Sequence, residues 1–167
     1  MNAALSFGIA ALLIGAGATL FMDMLAALQK RLLGVRPLNY ALVGRWIGHL
    51  WRGRFSHESI AAAPAIRGEA ALGWLAHYAV GVAFAGLLLA LWGVEWVHEP
   101  TPGPAILLGI ATVAAPFLIL QPGMGAGIAA RKTPRPNIAR LRSLATHISF
   151  GIGLYVAALI VAPLLPD

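Results

Sequence analysis

Residues 70–94 read AALGWLAHYAVGVAFAGLLLALWGV, a long apolar stretch without Asp, Glu, Lys or Arg. A helix needs about 20 such residues to cross the hydrocarbon core of a bilayer. Only helices and closed barrels satisfy their backbone groups in lipid, and no long apolar stretch here alternates with the period of two of a barrel strand. We therefore predict an all-α integral membrane protein with one domain over residues 1–167 and spans at 3–28, 70–93, 102–121 and 143–164.

Composition supports the same class. The chain is 59% hydrophobic and 11% charged, whereas soluble domains carry about 25% charged residues. It has no cysteine, which excludes disulfides and thiolate metal sites. The net charge of +6 is explained by basic loops, so we predict no nucleic-acid partner. No Lys or Arg precedes Lys30, so the first apolar segment is interpreted as an uncleaved helix and not as a signal peptide.

The basic residues predict the orientation. The loop between the second and third spans contains Glu95 and Glu99 and no basic residue. The positive-inside rule then places both basic loops in the cytoplasm and both termini in the periplasm of a bacterial inner membrane. All 12 basic residues lie between spans one and two (Lys30, Arg31, Arg36, Arg45, Arg52, Arg54 and Arg67) or between spans three and four (Arg131, Lys132, Arg135, Arg140 and Arg142).

The first cytoplasmic loop, residues 30–68, is too long for a simple turn. Apolar residues recur in it at helical spacing and predict an interfacial amphipathic helix at 38–52, with Trp46 and Trp51 at the level of the lipid headgroups. A docking helix for a partner protein is the alternative, and a homodimer is also compatible with so many small residues. Candidate contacts to anionic lipid are Arg45, Arg52, Arg131, Lys132 and Arg135.

A spaced motif suggests an internal repeat. His77 and Gly81 lie in LAHYAVG, and His147 and Gly151 lie in ATHISFG, so both segments carry His-x-x-x-Gly. Spans one and three run inward and spans two and four run outward. The pattern predicts two duplicated helical hairpins related by an axis along the membrane normal.

One polar residue in each span lies at a similar predicted depth. Asp23 is the most costly, because a carboxylate inside a span is expensive and normally faces the interior of the bundle. From the helical rise, His77, His147 and Asp23 lie about 8–12 Å inward from the flanking charged residues. We therefore predict a polar intramembrane layer with the ion- or ligand-binding candidates Asp23, His77, Gln121 and His147.

Three interpretations of this layer stay open. The residues could form structural hydrogen bonds between helices of a partner-stabilising subunit. They could bind or pass a proton, a small cation or a polar solute. They could also hold a cofactor, either haem between His77 and His147 or a divalent metal on His77, His147 and Asp23, with Gly81 and Gly151 leaving room for a porphyrin. No catalytic constellation is recognisable, so we predict no enzymatic activity.

The stretch QPGMGAG at residues 121–127 resembles a phosphate-binding loop only loosely. Arg131, Lys132 and Arg135 follow it, which allows an anionic headgroup site, and a flexible helix exit is the alternative. The remaining histidines, His49, His57 and His98, are interpreted as interfacial or loop residues.

Five passages carry a family resemblance: MDMLAALQKRLLG from Met22, LNYALVGRWIGH from Leu38, GWLAHYAVGVAFA from Gly73, QPGMGAGIAARKTPRPN from Gln121 and RSLATHISFGIGLY from Arg142. Together they resemble a small family of bacterial inner-membrane proteins catalogued only as a domain of unknown function. The resemblance covers nearly the whole chain. It implies a four-helix inner-membrane protein and supplies no activity, substrate or catalytic residue.

Overall fold

A computed structural model describes residues 3–35 and 37–165, without the side chain of Ala3. Arg36, counted above in the first basic loop, lies outside the described residues. The helices are α1 (Ala3–Leu33), α2 (Tyr40–Leu50), α3 (Glu69–Trp92), α4 (Pro102–Ala111), α5 (Gln121–Met124) and α6 (Pro136–Val161). A π-helical turn spans Pro116–Leu120, and 3₁₀ turns span Ile60–Ala62, Val94–Val97, Ile128–Ala130 and Ala162–Leu164.

The all-α prediction is confirmed for the described ranges, where every regular element is helical. Four helices in these ranges are long and apolar enough to cross a membrane: Ala4–Leu33, Glu69–Trp92, Pro102–Met124 and Pro136–Leu164. Insertion into a membrane and the repeat of two hairpins stay predictions.

Helices α1 and α6 extend beyond the predicted spans, because charged residues end an apolar stretch without ending a helix. Helix α1 continues to Leu33 and carries Lys30 and Arg31 in its last turn, where positive charge is favourable near the helix dipole. Helix α6 begins at Pro136, ahead of the predicted start at residue 143. Proline suits a first turn, since its missing N–H has no partner there.

The helical chain continues for three residues beyond Gln121, where the predicted third span ends. The chain is π-helical from Pro116, and helix α5 then continues to Met124. Pro122 lies at the start of α5, where a proline is tolerated. The helix ends at Gly125, which has a φ of 100° and closes the last turn through its N–H to the carbonyl of Pro122.

The described chain forms two compact units. Unit 1 comprises Met1–Pro37, Tyr78–Thr112 and Thr146–Asp167, and unit 2 comprises Leu38–His77 and Val113–Ala145. The core of unit 1 contains Ile14, Leu88, Leu89 and Leu154, each at most 1% exposed. Large apolar side chains also point outward from the apolar helices, and Leu20, Leu91, Leu107 and Ile160 are examples.

Glycines set the closest helix contacts within unit 1. A methyl group at Gly15 of α1 would overlap backbone atoms of Gly81 and Val82 in α3. A methyl group at Gly109 of α4 would lie 2.6 Å from the Cα atom of Gly151 in α6. Both glycines of the His-x-x-x-Gly motifs therefore face the backbone of a neighbouring helix, the close-packing arrangement that small residues permit in membrane bundles.

Unit 2 is built around α2 and the first turns of α3. Gly44 of α2 lies against the backbone of Glu69, and Gly73 of α3 lies against the backbone of Tyr40. The ring of Trp46 packs against Gly123 at the end of the third apolar segment. Helix α2 lies inside the predicted range 38–52. These contacts fix its position within unit 2.

We predict that Gly15→Ala destabilises the protein, because the new methyl group meets backbone atoms that cannot rotate away. The expected loss is about 1–3 kcal/mol in the free energy of unfolding, measured by SDS titration of the detergent-solubilised protein. Gly8→Ala on the same helix is the control, since a methyl group at Gly8 has no atom within 4 Å. Equal stability of the two variants would contradict the close approach of α1 and α3.

Candidate functional site

Arg45 is the most connected side chain of unit 2. Its Nε and Nη2 atoms donate to the two carboxylate oxygens of Glu69 at 2.8 and 2.7 Å. Its Nη1 atom donates to the carbonyl groups of Ala63 at 3.0 Å and Ala61 at 3.2 Å. The hydrogen bond to Glu69 raises the pKa of Arg45 above its ordinary value. Arg45 thus ties α2 to the start of α3 and to the loop before it.

This arrangement changes the interpretation of Arg45 as a contact to anionic lipid. The side chains of Arg45 and Glu69 are only 14% and 17% exposed, and the guanidinium is committed to partners inside unit 2. The forked geometry of Arg suits a bidentate carboxylate contact of this kind. The other four candidates, Arg52, Arg131, Lys132 and Arg135, are exposed.

Two histidines that the sequence assigned to loops or to the interface are buried. His49 is 5% exposed and His57 is 7% exposed, and their rings meet edge to face with centroids 5.0 Å apart. The Nε2 atom of His49 lies 3.1 Å from the carbonyl oxygen of Pro64. A carbonyl only accepts, so Nε2 of His49 is the protonated nitrogen.

His57 joins the two loops of unit 2. Its backbone N–H and its Nδ1 atom both lie within hydrogen-bonding distance of the carbonyl oxygen of Gly123, at 3.0 and 3.2 Å. Nδ1 must therefore carry the proton. The Nε2 atom is buried and has no hydrogen-bond partner among the described residues.

The chain after Met124 is held in a defined turn. Gly125, with a φ of 100°, lies against the carbonyl groups of His57 and Glu58, where any side chain would collide. Gly127, with a φ of 74°, lies beneath the stems of Arg131 and Lys132. The turn closes through the N–H of Lys132 to the carbonyl of Ala126 at 2.9 Å. Arg140 also holds it, donating from Nε to the carbonyl of Ala129 at 2.8 Å.

The loop after α2 and the turn after α5 line an open cavity of about 800 Å³ within unit 2. Its lining carries three basic side chains and one carboxylate, a formal charge of +2, from Arg54, Glu58, Arg131 and Lys132. Among the described residues, no ion pair joins Arg54, Arg131 or Lys132 to a carboxylate. The cavity can therefore attract an anion without first breaking an ion pair.

The predicted polar residues of unit 1 have partners on neighbouring helices. Asp23 of α1 and the hydroxyl group of Tyr78 in α3 form a side-chain hydrogen bond. The hydroxyl group of Thr112 donates to the carbonyl of Gly109 at 2.6 Å and lies 2.8 Å from Nδ1 of His147. Since the single hydroxyl proton is used, Nδ1 of His147 is the donor to Thr112.

The other two predicted residues belong to unit 2. His77 stacks on Tyr40 with ring centroids 4.1 Å apart, and its ring also meets that of Trp74. Gln121 donates from Nε2 to the hydroxyl oxygen of Ser143 at 3.2 Å, while its Oε1 atom is buried and has no hydrogen-bond partner within residues 3–35 and 37–165. The structure thus gives each of the four candidates its own local partner, and their membership of one layer stays a prediction.

The cofactor interpretation gains little from these contacts. Gly81 and Gly151 do not leave room for a porphyrin, because a neighbouring helix fills the space beside each of them. The side chain of Thr19 and the carbonyl of Gly15 lie beside Gly81, and the backbone of α4 lies beside Gly151. In the part of the chain that the structure describes, no group of three or more histidines or carboxylates is arranged to hold a metal ion. The assignment of His77, His147 and Asp23 as haem or metal ligands stays a prediction.

Sequence reasoning did not single out Arg54, His57 and Glu58 as site residues. The cavity brings them next to a loop far along the chain, since His57 and Gly123 are 66 residues apart. The glycines at 125 and 127 were the available signal, and an anionic site beside them was one of the two alternatives.

We expect Arg45→Lys to lower the apparent melting temperature of the detergent-solubilised protein. Lysine keeps the charge but cannot serve both carboxylate oxygens of Glu69 and the loop carbonyls from one planar group. Arg52→Lys, at an exposed position on the same loop, should leave the melting temperature unchanged. A melting temperature equal to that of the unmodified protein would argue against Arg45 as the anchor of unit 2.

The comparisons agree with the resemblance seen in the sequence. No curated protein and no solved structure matched the chain. A family model described as "Protein of unknown function (DUF2938)" matches residues 12–161, which is most of the chain. The resemblance is thereby confirmed, and the chain belongs to the DUF2938 family of proteins of unknown function.

Proposed function

We propose that this chain is a multi-pass inner-membrane protein that binds an anionic ligand at its cytoplasmic face. Four apolar helices with outward-facing leucine and isoleucine side chains support the membrane location. The concentration of all 12 basic residues in two loops supports the orientation, with both termini in the periplasm. In this orientation the cavity of unit 2 opens toward the cytoplasm.

The observation that carries the proposal is the charge of the cavity. Arg54 comes from one loop and Arg131 and Lys132 from the other, and the lining contains a single carboxylate. A concave site lined by one sign of charge concentrates ions of the opposite sign. A volume of about 800 Å³ also lies within the usual range for small-molecule sites.

The site is proposed as a binding site without catalysis. Ser56 and Ser59 supply hydroxyl groups to the lining. Among the described hydrogen bonds, neither serine is paired with a histidine or a carboxylate that could activate it. The polar groups of the cavity supply charge and hydrogen bonds, which suffice for binding.

Solute or proton passage along Asp23, His77, Gln121 and His147 is the second candidate. The buried Oε1 atom of Gln121 favours it, because an acceptor without a partner inside a span is suited to a cation, a water molecule or a polar solute. The pairs Asp23–Tyr78 and Thr112–His147 instead fit hydrogen bonds that stabilise helix packing, the role of a structural subunit.

The binding proposal is tested by titrating the purified protein with pyrophosphate at low ionic strength in an isothermal calorimeter. We expect saturable binding that weakens about a hundredfold in Arg131→Gln/Lys132→Gln, because two charged hydrogen bonds worth about 1.5 kcal/mol each are lost. Arg135→Gln removes one positive charge from the same loop outside the lining and should leave the affinity unchanged.

Asp23→Asn tests whether anion binding in the cavity is independent of the polar residues inside the spans. Under the binding proposal it leaves pyrophosphate affinity unchanged, because Asp23 belongs to unit 1 and the cavity lining to unit 2. Absence of saturable binding, or equal weakening in Arg135→Gln and the double variant, would contradict an anion site in the cavity.

A further inference from the structure

The cations of the cavity are distributed so that a ligand can be held from two sides. Arg54 belongs to the loop after α2, and Arg131 and Lys132 belong to the turn after α5. All three residues are exposed. Three separate donor groups and a net charge of +2 therefore surround one space.

We propose, building on the proposed function, that the group recognised in this cavity is a phosphomonoester. A phosphomonoester carries a charge of about −1.5 to −2 near neutral pH and offers three acceptor oxygens. It therefore matches both the net charge and the number of cationic side chains. A carboxylate or a phosphodiester carries a single charge and leaves part of the cavity charge uncompensated.

The donor types agree with this assignment. Arg54 and Arg131 each present a planar fork that can make two parallel bonds to neighbouring phosphate oxygens, and Lys132 adds a point charge. Glu58 lies in the same lining, and its carboxylate would repel a phosphate placed next to it. Its carboxylate is suited to an amine or hydroxyl group elsewhere on the same ligand.

The cavity is organised before the ligand arrives. Gly127 lets the stems of Arg131 and Lys132 pass over the backbone, so both cations start from one fixed turn. The paired hydrogen bonds from His57 to Gly123 hold the opposite loop in register with that turn. A site that is already ordered loses less conformational entropy on binding.

Two sources could supply the phosphomonoester, a soluble phosphorylated metabolite or the headgroup of an anionic lipid. The loop that carries Arg54 also presents two aromatic side chains to the surroundings, Trp51 at 86% exposure and Phe55 at 69%. Exposed aromatic residues next to arginine are typical of the membrane interface. The cavity can thus lie close to the headgroups while remaining open to the cytoplasm.

The test uses the full chain in nanodiscs of phosphatidylcholine and compares three soluble probes: inorganic phosphate, glycerol 3-phosphate and acetate. We expect the two phosphate probes to bind about tenfold or more tightly than acetate. In a parallel arm, nanodiscs with phosphatidic acid are compared with nanodiscs with phosphatidylglycerol, a phosphodiester, by native mass spectrometry of retained lipid.

Arg54→Gln is the diagnostic variant, and Arg52→Gln is its matched control, since Arg52 lies on the same loop outside the lining. Binding of the soluble phosphates that falls about tenfold in Arg54→Gln alone would support the proposal with a metabolite as the source. Retention of phosphatidic acid over phosphatidylglycerol that is lost in Arg54→Gln alone would support it with a lipid as the source.

Equal affinity for phosphate and acetate, with binding still dependent on Arg54, would overturn the phosphomonoester assignment and leave the anion-binding function standing. Binding that does not depend on Arg54 would overturn the assignment alone. Absence of binding for every soluble probe and both lipids would overturn the assignment together with the proposed function. A matching loss in Arg52→Gln would show attraction to the general charge of the loop, which also overturns the assignment.

Discussion

The forked ion pair between Arg45 and Glu69 is the interaction on which unit 2 depends. It joins α2 to the first residue of α3, and the same guanidinium holds the carbonyl groups of Ala61 and Ala63. Ala62 and Ala63 of the adjoining loop line the cavity, so Arg45 helps to position that wall together with the hydrogen bonds from His57 to Gly123. A half-buried arginine stabilises a fold when its donors are paired with acceptors, because an unpaired charge at such a position destabilises the folded state.

Unit 1 is stabilised by different means. Its helices approach closely at Gly15, Gly81, Gly109 and Gly151, and its polar side chains form hydrogen bonds from one helix to the next. In lipid, where apolar side chains gain nothing from leaving the solvent, small residues and interhelical hydrogen bonds are the available sources of association. Unit 1 thus has dense helix packing, and unit 2 has an open charged cavity.

The four apolar helices could be predicted from the sequence. A bilayer requires a long stretch without charged residues, and such a stretch is a local property of the sequence. It also marked Asp23, His77, Gln121 and His147 as unusual, since polar residues inside apolar runs need partners. It could not identify those partners, and Thr112 and Ser143 carry no signal of their own. The cavity was still harder to predict from the sequence. Arg54 and His57 are brought to the turn after α5 only by tertiary contacts, and His57 and Gly123 are 66 residues apart.

The central claim is that the charged cavity faces the cytoplasm, and cysteine labelling tests it directly because the chain contains no cysteine. Single variants Ser56→Cys, in the cavity lining, and Glu99→Cys, in the loop without basic residues, are expressed in cells. Intact spheroplasts are then treated with a membrane-impermeant maleimide. If the cavity faces the cytoplasm, Glu99→Cys is labelled at once and Ser56→Cys is labelled only after the membrane is opened. Labelling of Ser56→Cys in intact spheroplasts, with Glu99→Cys protected, would contradict it.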